Sequence, residues 1–244
     1  MHRFDLQDWQ WALIEDLFPS NDGKEGEPWR DHRTVLSGMF HVLHTGCAWR
    51  DLPDRYGPWQ TVYDRFARYR RDGTFDAILK RLRTRLDKLG RKKTCGPQAL
   101  GYSRGGFGSK LHLICDGNGT PLAAVLTPGQ AHESKSAEAL VDAVRIGRRR
   151  RPKQVAGDKG YSFPPVRRML RKRRVTPLIP TRSNQPRDRQ FDRAGYKRRN
   201  VVERLIGWLK ERRRLCTRFE KSAGGYMAMV KLAFITKCML LINQ

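Results

Sequence analysis

The period of the hydrophobic pattern changes near residue 90, and this change limits the folds that the chain can adopt. Before it, apolar side chains recur at helical spacing. After residue 102, short apolar runs alternate with helical segments. Together these patterns predict an α/β protein in which a helical N-terminal domain precedes a domain with a central sheet. The predicted N-terminal helices are Leu6–Leu17, Asp31–Thr45, Trp59–Arg71 and Phe75–Leu89.

The second half of the chain contains the stretch "SKLHLICDGNGTPLAAVLT", which predicts two strands joined by a turn at residues 116–119. Helices are predicted over residues 136–146 and 165–173, and a strand over residues 175–180. In "KQVAGDKGY" a buried strand is predicted to end at Asp158. Functional sites of such sheets lie at the carboxyl ends of strands, so Asp158 is a candidate site residue.

The charge of the chain is strongly unbalanced, with 50 Lys and Arg against 24 Asp and Glu and a formal net charge of +26. An apolar fraction of 39% argues against disorder, so the charge lies on a folded surface. Nucleic acid is favoured over a membrane as partner, because the cations recur along the whole chain.

The C-terminal apolar run is interrupted by Lys231 and Lys237, and we expect it to form a core helix and not a membrane span. The five cysteines are scattered and include no Cys-x-x-Cys pair. A reducing cytoplasm suits them best.

The basic segment "GPWQTVYDRFARYRRDG" has two interpretations that the sequence leaves open. It can present Arg65 and Arg68 to DNA in the manner of a helix-turn-helix. It can equally be one helix of a bundle whose basic face is merely solvated.

The stretch "GYKRRNVVERLIGWLKERRR", residues 195–214, is predicted to be one amphipathic helix. Val202, Leu205, Ile206 and Leu209 fall on its apolar side. Its polar stripe consists of Tyr196, Arg199, Glu203 and Lys210. One interpretation is a solvated face in which the Arg199–Glu203 ion pair contributes roughly 0.3–0.5 kcal/mol.

The other interpretation makes Glu203 a metal-binding acid, together with Asp158. Mg²⁺ or Mn²⁺ bound by carboxylates can activate a water or a hydroxyl for phosphoryl transfer. In this interpretation Arg199 and Lys210 hold DNA phosphates, and Tyr196 packs against a sugar or base.

These motifs resemble those of the DDE transposases of bacterial insertion sequences, in particular the insertion-sequence-five group. The polar stripe matches the signature Tyr, two residues, Arg, three residues, Glu, six residues, Lys, and "AGDKGY" is similar to the second-Asp motif. The resemblance implies a ribonuclease-H-like catalytic fold over residues 103–244 behind an N-terminal domain of residues 1–89. It also implies a homodimer or larger assembly in the bacterial cytoplasm, at the nucleoid, acting on the element's terminal inverted repeats and on target DNA.

The chain departs from the family pattern at the first catalytic Asp, which normally lies on a strand just upstream of "GGFG". Residues 90–102 stand there instead and are interpreted as a linker at an internal deletion, with the first strand missing. Neither Asp87 nor Asp116 matches the motif. Two functions therefore remain open, an active transposase and an inactive remnant that only binds DNA. A third, an unrelated nucleic-acid-binding protein, must treat the motif spacing as coincidence.

Overall fold

The computed structural model describes residues 3–19, 30–89, 98–101, 109–128, 131, 134–144, 152–186 and 188–243. The chain forms two compact units, of which one contains residues 1–82 and 208–244 and the other residues 83–207. The described helices are α1 Asp8–Trp11, α2 His32–Thr45, α3 Trp59–Arg71, α4 Thr74–Lys88, α5 Ser134–Asp142, α6 Pro164–Lys172, α7 Arg193–Lys197, α8 Asn200–Lys210, α9 Arg213–Cys216 and α10 Ala223–Ile242. The strands are β1 Gln98–Gly101, β2 Ser109–Cys115, β3 Pro121–Pro128, β4 Gln154–Gly157 and β5 Thr176–Leu178.

The first unit is helical, and its core joins the two ends of the chain. Helix α2 packs against α3, α9 and α10, and α10 also packs against α3. Phe66, Tyr69 and Phe75 form a buried aromatic cluster. The predicted division of the chain placed the C-terminal helices with the sheet. The C-terminal helices instead belong to the helical unit, because α10 packs against α2 and α3.

Helix α10 is, within the described residues, the one helix that is long and apolar enough to cross a membrane. Its side chains are buried along most of its length, including Met229 and Phe234. Lys231 lies 2.6 Å from Asp76 of α4. This packing accounts for its apolar composition, as the predicted core helix requires.

The second unit is built on a five-stranded sheet with the order β3-β2-β1-β4-β5. Strands β1, β2 and β3 pair antiparallel, whereas β1, β4 and β5 pair parallel. Pro177 lies in the edge strand β5, where the missing N–H costs least. Helices α5 and α6 contact the sheet and each other. Leu140, Val155 and Leu170 belong to the core between them.

Strand β1 corrects the prediction that residues 90–102 are a linker and that the first strand is missing. Gln98–Gly101 occupies the centre of the sheet, with Leu100 opposite Ile114 of β2 and Gly157 of β4. The prediction was wrong because it required an apolar alternation, which four residues cannot show. Pairing in a sheet uses backbone groups, and the central position has two neighbours whose groups need partners. Residues 90–97 and 102 lie outside the described residues.

The other elements of this unit lie close to their predicted positions. The β2–β3 hairpin is confirmed, and its turn contains Gly119 with a φ of 84°. Helices α5 and α6 and strand β5 lie within a few residues of the predicted bounds. The "GGFG" motif lies outside the described residues.

Candidate active site

Asp158 directly follows β4, at the carboxyl end of the strand, as predicted. Its Oδ1 accepts a hydrogen bond of 2.8 Å from the N–H of Gly160 and caps a 3₁₀ turn, Lys159–Tyr161. The turn fixes the carboxylate at the sheet edge.

The 3₁₀ turn is held from below by a buried polar cluster. Tyr161 is fully buried, and its hydroxyl lies 2.8 Å from Nδ1 of His112 on β2. Nε2 of His112 lies 2.8 Å from Oγ1 of Thr127 on β3. This support was not predicted from the sequence. Tyr161 stood in "AGDKGY", but nothing in the sequence paired it with His112.

The same turn is also held from the side, by residues that follow β5. Arg182 Nε donates to the carbonyl of Lys159 at 3.0 Å. The Gln185 side chain bonds Ser162 twice, because its Nε2 donates to the Ser162 carbonyl and its Oε1 accepts from the Ser162 hydroxyl, both at 2.7 Å. These contacts join distant parts of the chain, so no local pattern predicts them.

The predicted helix over residues 195–214 is interrupted, and in this respect the prediction was wrong. Tyr196 lies in α7, and a turn at residues 198 and 199 separates it from α8, which holds Glu203. The N–H groups of Arg198 and Arg199 bond carbonyls three residues back, which tightens the turn. Asn200, the first residue of α8, follows this turn, and Asn is a poor residue for a helix interior. Of the predicted apolar side, Val202, Leu205 and Leu209 are buried and Ile206 is half-buried.

Arg199 and Glu203 form the predicted ion pair, with Nη1 of Arg199 2.6 Å from Oε1 of Glu203. Glu203 keeps 44% of its side-chain exposure, so its carboxylate remains accessible to a ligand. The Arg199 guanidinium also lies 5.7 Å from the centre of the Tyr196 ring. The ring of Phe191 packs at 5.3 Å from the same ring.

The half-buried hydroxyl of Tyr196 is affected by the charges of both candidate acids. Burial raises its pKa most, and the charge of Arg199 lowers it. The carboxylates of Asp158 and Glu203 both raise the pKa of Tyr196 further. The fold thus brings Asp158, Tyr196, Arg199 and Glu203 into one electrostatic environment.

The remaining predicted site residues lie elsewhere on their helices. Lys210 is the exposed last residue of α8, roughly 10 Å along the axis from Glu203. On α3, burial lowers the pKa of Arg65. Arg68 lies 3.8 Å from Asp72. Residues 46–58 separate α2 from α3, which is longer than the three- or four-residue turn of a helix-turn-helix.

A third acid is not found beside Asp158 and Glu203 in the part of the chain that the structure describes. No group of three or more His, Cys, Asp and Glu side chains able to hold a metal ion occurs there. Strand β1 has the sequence Gln-Ala-Leu-Gly. Asp116 is half-buried in the β2–β3 turn, where its Oδ1 accepts from the N–H groups of Asn118 and Thr120, both at 2.9 Å.

Two protein-family models match the chain. A model described as a transposase family of the IS4/5 type matches residues 6–79, and a model described as the transposase DDE domain matches residues 72–236. A Burkholderia cepacia protein, whose name assigns it as the transposase for insertion sequence element IS402, is 37% identical over 157 residues, 62% of this chain and 71% of its own. A Brucella ovis protein, similarly assigned for element IS6501, is 31% identical over 130 residues, 51% of this chain and 93% of its own. No solved structure matches the chain.

Proposed function

The chain belongs to the DDE transposases of bacterial insertion sequences, and we propose that Asp158 and Glu203 are the acids with which it cuts and joins DNA. The observation that carries this proposal is that Asp158 ends the strand β4 with its carboxylate held by the turn, and that Glu203 of α8 is held by Arg199 with 44% of its side chain exposed. Both carboxylates also raise the pKa of Tyr196. The acids come from a strand end and from a separate helix, so a joint site depends on the fold and not on nearness in the sequence.

The two carboxylates fit a divalent cation. Mg²⁺ is commonly bound by one or two carboxylates, with water and substrate phosphate completing its shell, and Mn²⁺ accepts the same oxygen ligands. The family generally uses such ions. When bound by Asp158 and Glu203, the ion would polarise a phosphodiester and lower the pKa of an attacking water.

The surrounding side chains orient these acids and bind the strand. The Gly160 N–H holds Asp158, and Arg199 holds Glu203, so neither carboxylate needs to be ordered when substrate arrives. The raised pKa keeps Tyr196 neutral and able to pack against a sugar or base. Arg199 and Lys210 attract phosphates, and Arg65 and Arg68 of α3 contribute to DNA binding.

The strand order and directions of the sheet support a ribonuclease-H-like catalytic fold, with an antiparallel trio continued by two parallel strands. As partners we propose the element's terminal inverted repeats and target DNA. Bringing two ends together requires at least a homodimer, acting in the cytoplasm at the nucleoid.

A second function is a transposase remnant that binds DNA without cutting it. The observation in its favour is that no third acid joins Asp158 and Glu203 in the described residues, since β1 carries none. Two-metal phosphoryl transfer places two ions about 3.5–4 Å apart, and a shared carboxylate would ordinarily help to hold them.

The test is cleavage of a labelled duplex that carries this gene and its flanks, in Mg²⁺ or Mn²⁺. Asp158→Asn and Glu203→Gln keep the shape of each side chain and remove its charge. Each should reduce cutting at least roughly a thousandfold, because the ion loses a charged ligand. DNA binding in EDTA should stay unchanged.

The matched control is Glu138→Gln, which removes an exposed carboxylate on α5 that lies 2.7 Å from Arg173. This variant should cut like the wild type. Cutting by an Asp158→Asn, Glu203→Gln double variant would contradict the assignment of the acids. Salt-sensitive binding without any cutting by the wild type would establish the remnant.

A further inference from the structure

A cleft of about 290 Å³ lies between α6 and residues 181–186 in the α/β unit. Arg167, Arg168 and Arg171 of α6 line one side, and Thr181 and Gln185 line the other. Helix α6 is amphipathic, with Val166 and Leu170 in the core of this unit. Its basic side therefore faces away from the core, and its nine residues include no acid.

The arginines of this cleft are poorly neutralised. Arg168 and Arg171 are exposed, and neither has an ion pair with a carboxylate in the described part of the chain. Arg173, two residues further on, lies 2.7 Å from Glu138 and 2.8 Å from Asp142, whereas no carboxylate of the described residues lines the cleft.

Arg167 forms the inner wall of the cleft. Its Nη2 donates to the Ile179 carbonyl at 2.6 Å and to the Ser162 hydroxyl at 3.2 Å. Burial lowers the pKa of Arg167 and the like charge of Arg171 lowers it further, whereas the charge of Asp188 raises it in part. A bound anion would relieve this repulsion, so the cleft is suited to a negatively charged group.

The three arginines that line the cleft favour a nucleic-acid backbone as its ligand, because guanidinium groups pair well with phosphates. The accessible surface of the cleft is otherwise mostly apolar and includes Pro164 and Pro186. Arg168 and Arg171 are separated by about 4.5 Å along α6. A DNA strand offers one phosphate per roughly 3.4 Å of duplex axis, so the two side chains can reach one or two phosphates.

The cleft is physically continuous with the turn that holds Asp158. Gln185, on the cleft wall, bonds both the carbonyl and the hydroxyl of Ser162. Ser162 directly follows the 3₁₀ turn that Asp158 caps. Arg182 donates to Lys159 of the same turn and lies over the Phe163 ring at 4.1 Å. A strand bound along α6 would therefore lead to Asp158.

We propose that this cleft binds the sugar-phosphate backbone of the DNA strand that flanks the scissile bond, with Arg168 and Arg171 contacting its phosphates. The proposal rests on the function proposed for Asp158 and Glu203, because it takes that site as the place to which the bound DNA strand leads. It adds a contact surface outside the Tyr-Arg-Glu-Lys signature.

The experiment measures binding of a labelled duplex carrying the gene's flank, in EDTA, between 50 and 200 mM salt. Each phosphate contact contributes about 0.9 to the slope of log affinity against log salt. Arg168→Gln with Arg171→Gln should flatten the slope by about 1.8. The ratio of wild-type affinity to double-variant affinity would then fall about tenfold between 50 and 200 mM salt.

Lys172→Gln is the matched control for Arg171→Gln, since it removes one charge from the next residue of the same helix but not from the cleft lining. Lys172→Gln should leave the slope nearly unchanged. Equal slopes for the two single variants would overturn the proposal, because only general charge would then matter.

Ethylation of single phosphates gives the position of the contact. Ethyl groups that weaken wild-type binding, but not binding by Arg171→Gln, should lie within a few nucleotides of the cut. A contact far from the cut would contradict a DNA strand that runs from the cleft to Asp158. The assignment of Asp158 and Glu203 as the catalytic acids would not be affected. The slopes should be the same in an Asp158→Asn background, so failure of the catalytic assignment is recognised separately by the loss of cutting.

Discussion

At the scale of residues, the contact of Arg199 with Glu203 is compatible with both interpretations of the polar stripe, a solvated ion pair and a metal-binding acid. The Arg199 guanidinium pairs with Glu203 and lies over Tyr196. An exposed pair of this kind contributes little to stability, roughly 0.3–0.5 kcal/mol. The pair is therefore better understood as orientation of the Glu203 carboxylate, which remains 44% exposed.

His44 provides a residue-scale prediction about pH. Its ring stacks on Phe4, with centroids 4.6 Å apart. Burial lowers the pKa of His44 to about 4, and the charges of Arg212, Arg3 and His41 contribute further. The folded state therefore binds fewer protons than the unfolded state between about pH 4 and 6.5, and stability falls as the pH falls through this window.

Between pH 7 and pH 5 this histidine should cost about 2 kcal/mol of unfolding free energy. Urea unfolding of the wild type and of His44→Gln at both pH values measures it. The variant should lose correspondingly less stability on acidification. An equal loss in both proteins would show that His44 does not carry the effect.

The sequence could predict the positions of the two candidate acids in the fold. Asp158 lies at a strand end and Glu203 lies on a helix, as spacing and periodicity indicated. The supports of the site could not be predicted, since His112, Arg182 and Gln185 reach the Asp158 turn only through tertiary contacts. The break before α8 was missed because helical periodicity continues through a short, tightened turn.

At the scale of elements, β1 shows how little sequence a central strand needs. Helices such as α2 and α3 were predicted with nearly correct bounds, because more than ten residues repeat one spacing. Strand β1 has four residues without polar–apolar alternation, and it is ordered by pairing with its neighbours β2 and β4. Its role follows from backbone pairing on both sides.

Proline at Ala99 tests this role. Ala99 lies opposite Cys115 of β2 and Ala156 of β4. Ala99→Pro removes an N–H from a central strand and should lower the unfolding free energy by at least about 2 kcal/mol. Ala99→Ser keeps the N–H and should stay near the wild type in the same urea titration. Equal stability of both variants would mean that β1 does not hold the sheet together.

At the scale of the whole molecule, the net charge of +26 dominates encounters with other polymers. It is spread over both compact units, because basic side chains occur on α3, on α6 and around α8. Phosphate neutralisation releases counterions, so affinity for DNA depends on salt more than on any single contact.

We expect the slope of log affinity against log salt for the wild type to be steeper than −5. Affinity would then fall at least about a thousandfold between 50 and 200 mM salt. Titration of a labelled flank duplex in EDTA measures this slope. A value shallower than −2 would show that most of the positive charge is not directed at DNA.

The placement of α10 in the helical unit also has a consequence for synthesis. Helices α2 and α3 are made early, yet their core partner α10 ends at Ile242. At roughly 5–20 residues per second, the ribosome completes α10 about 10–30 s after α3. The apolar faces of α2 and α3 must wait for that time without their partner. Synthesis of the helical unit thus begins first and ends last. A translation product that stops before α10 would lack the partner of α2 and α3.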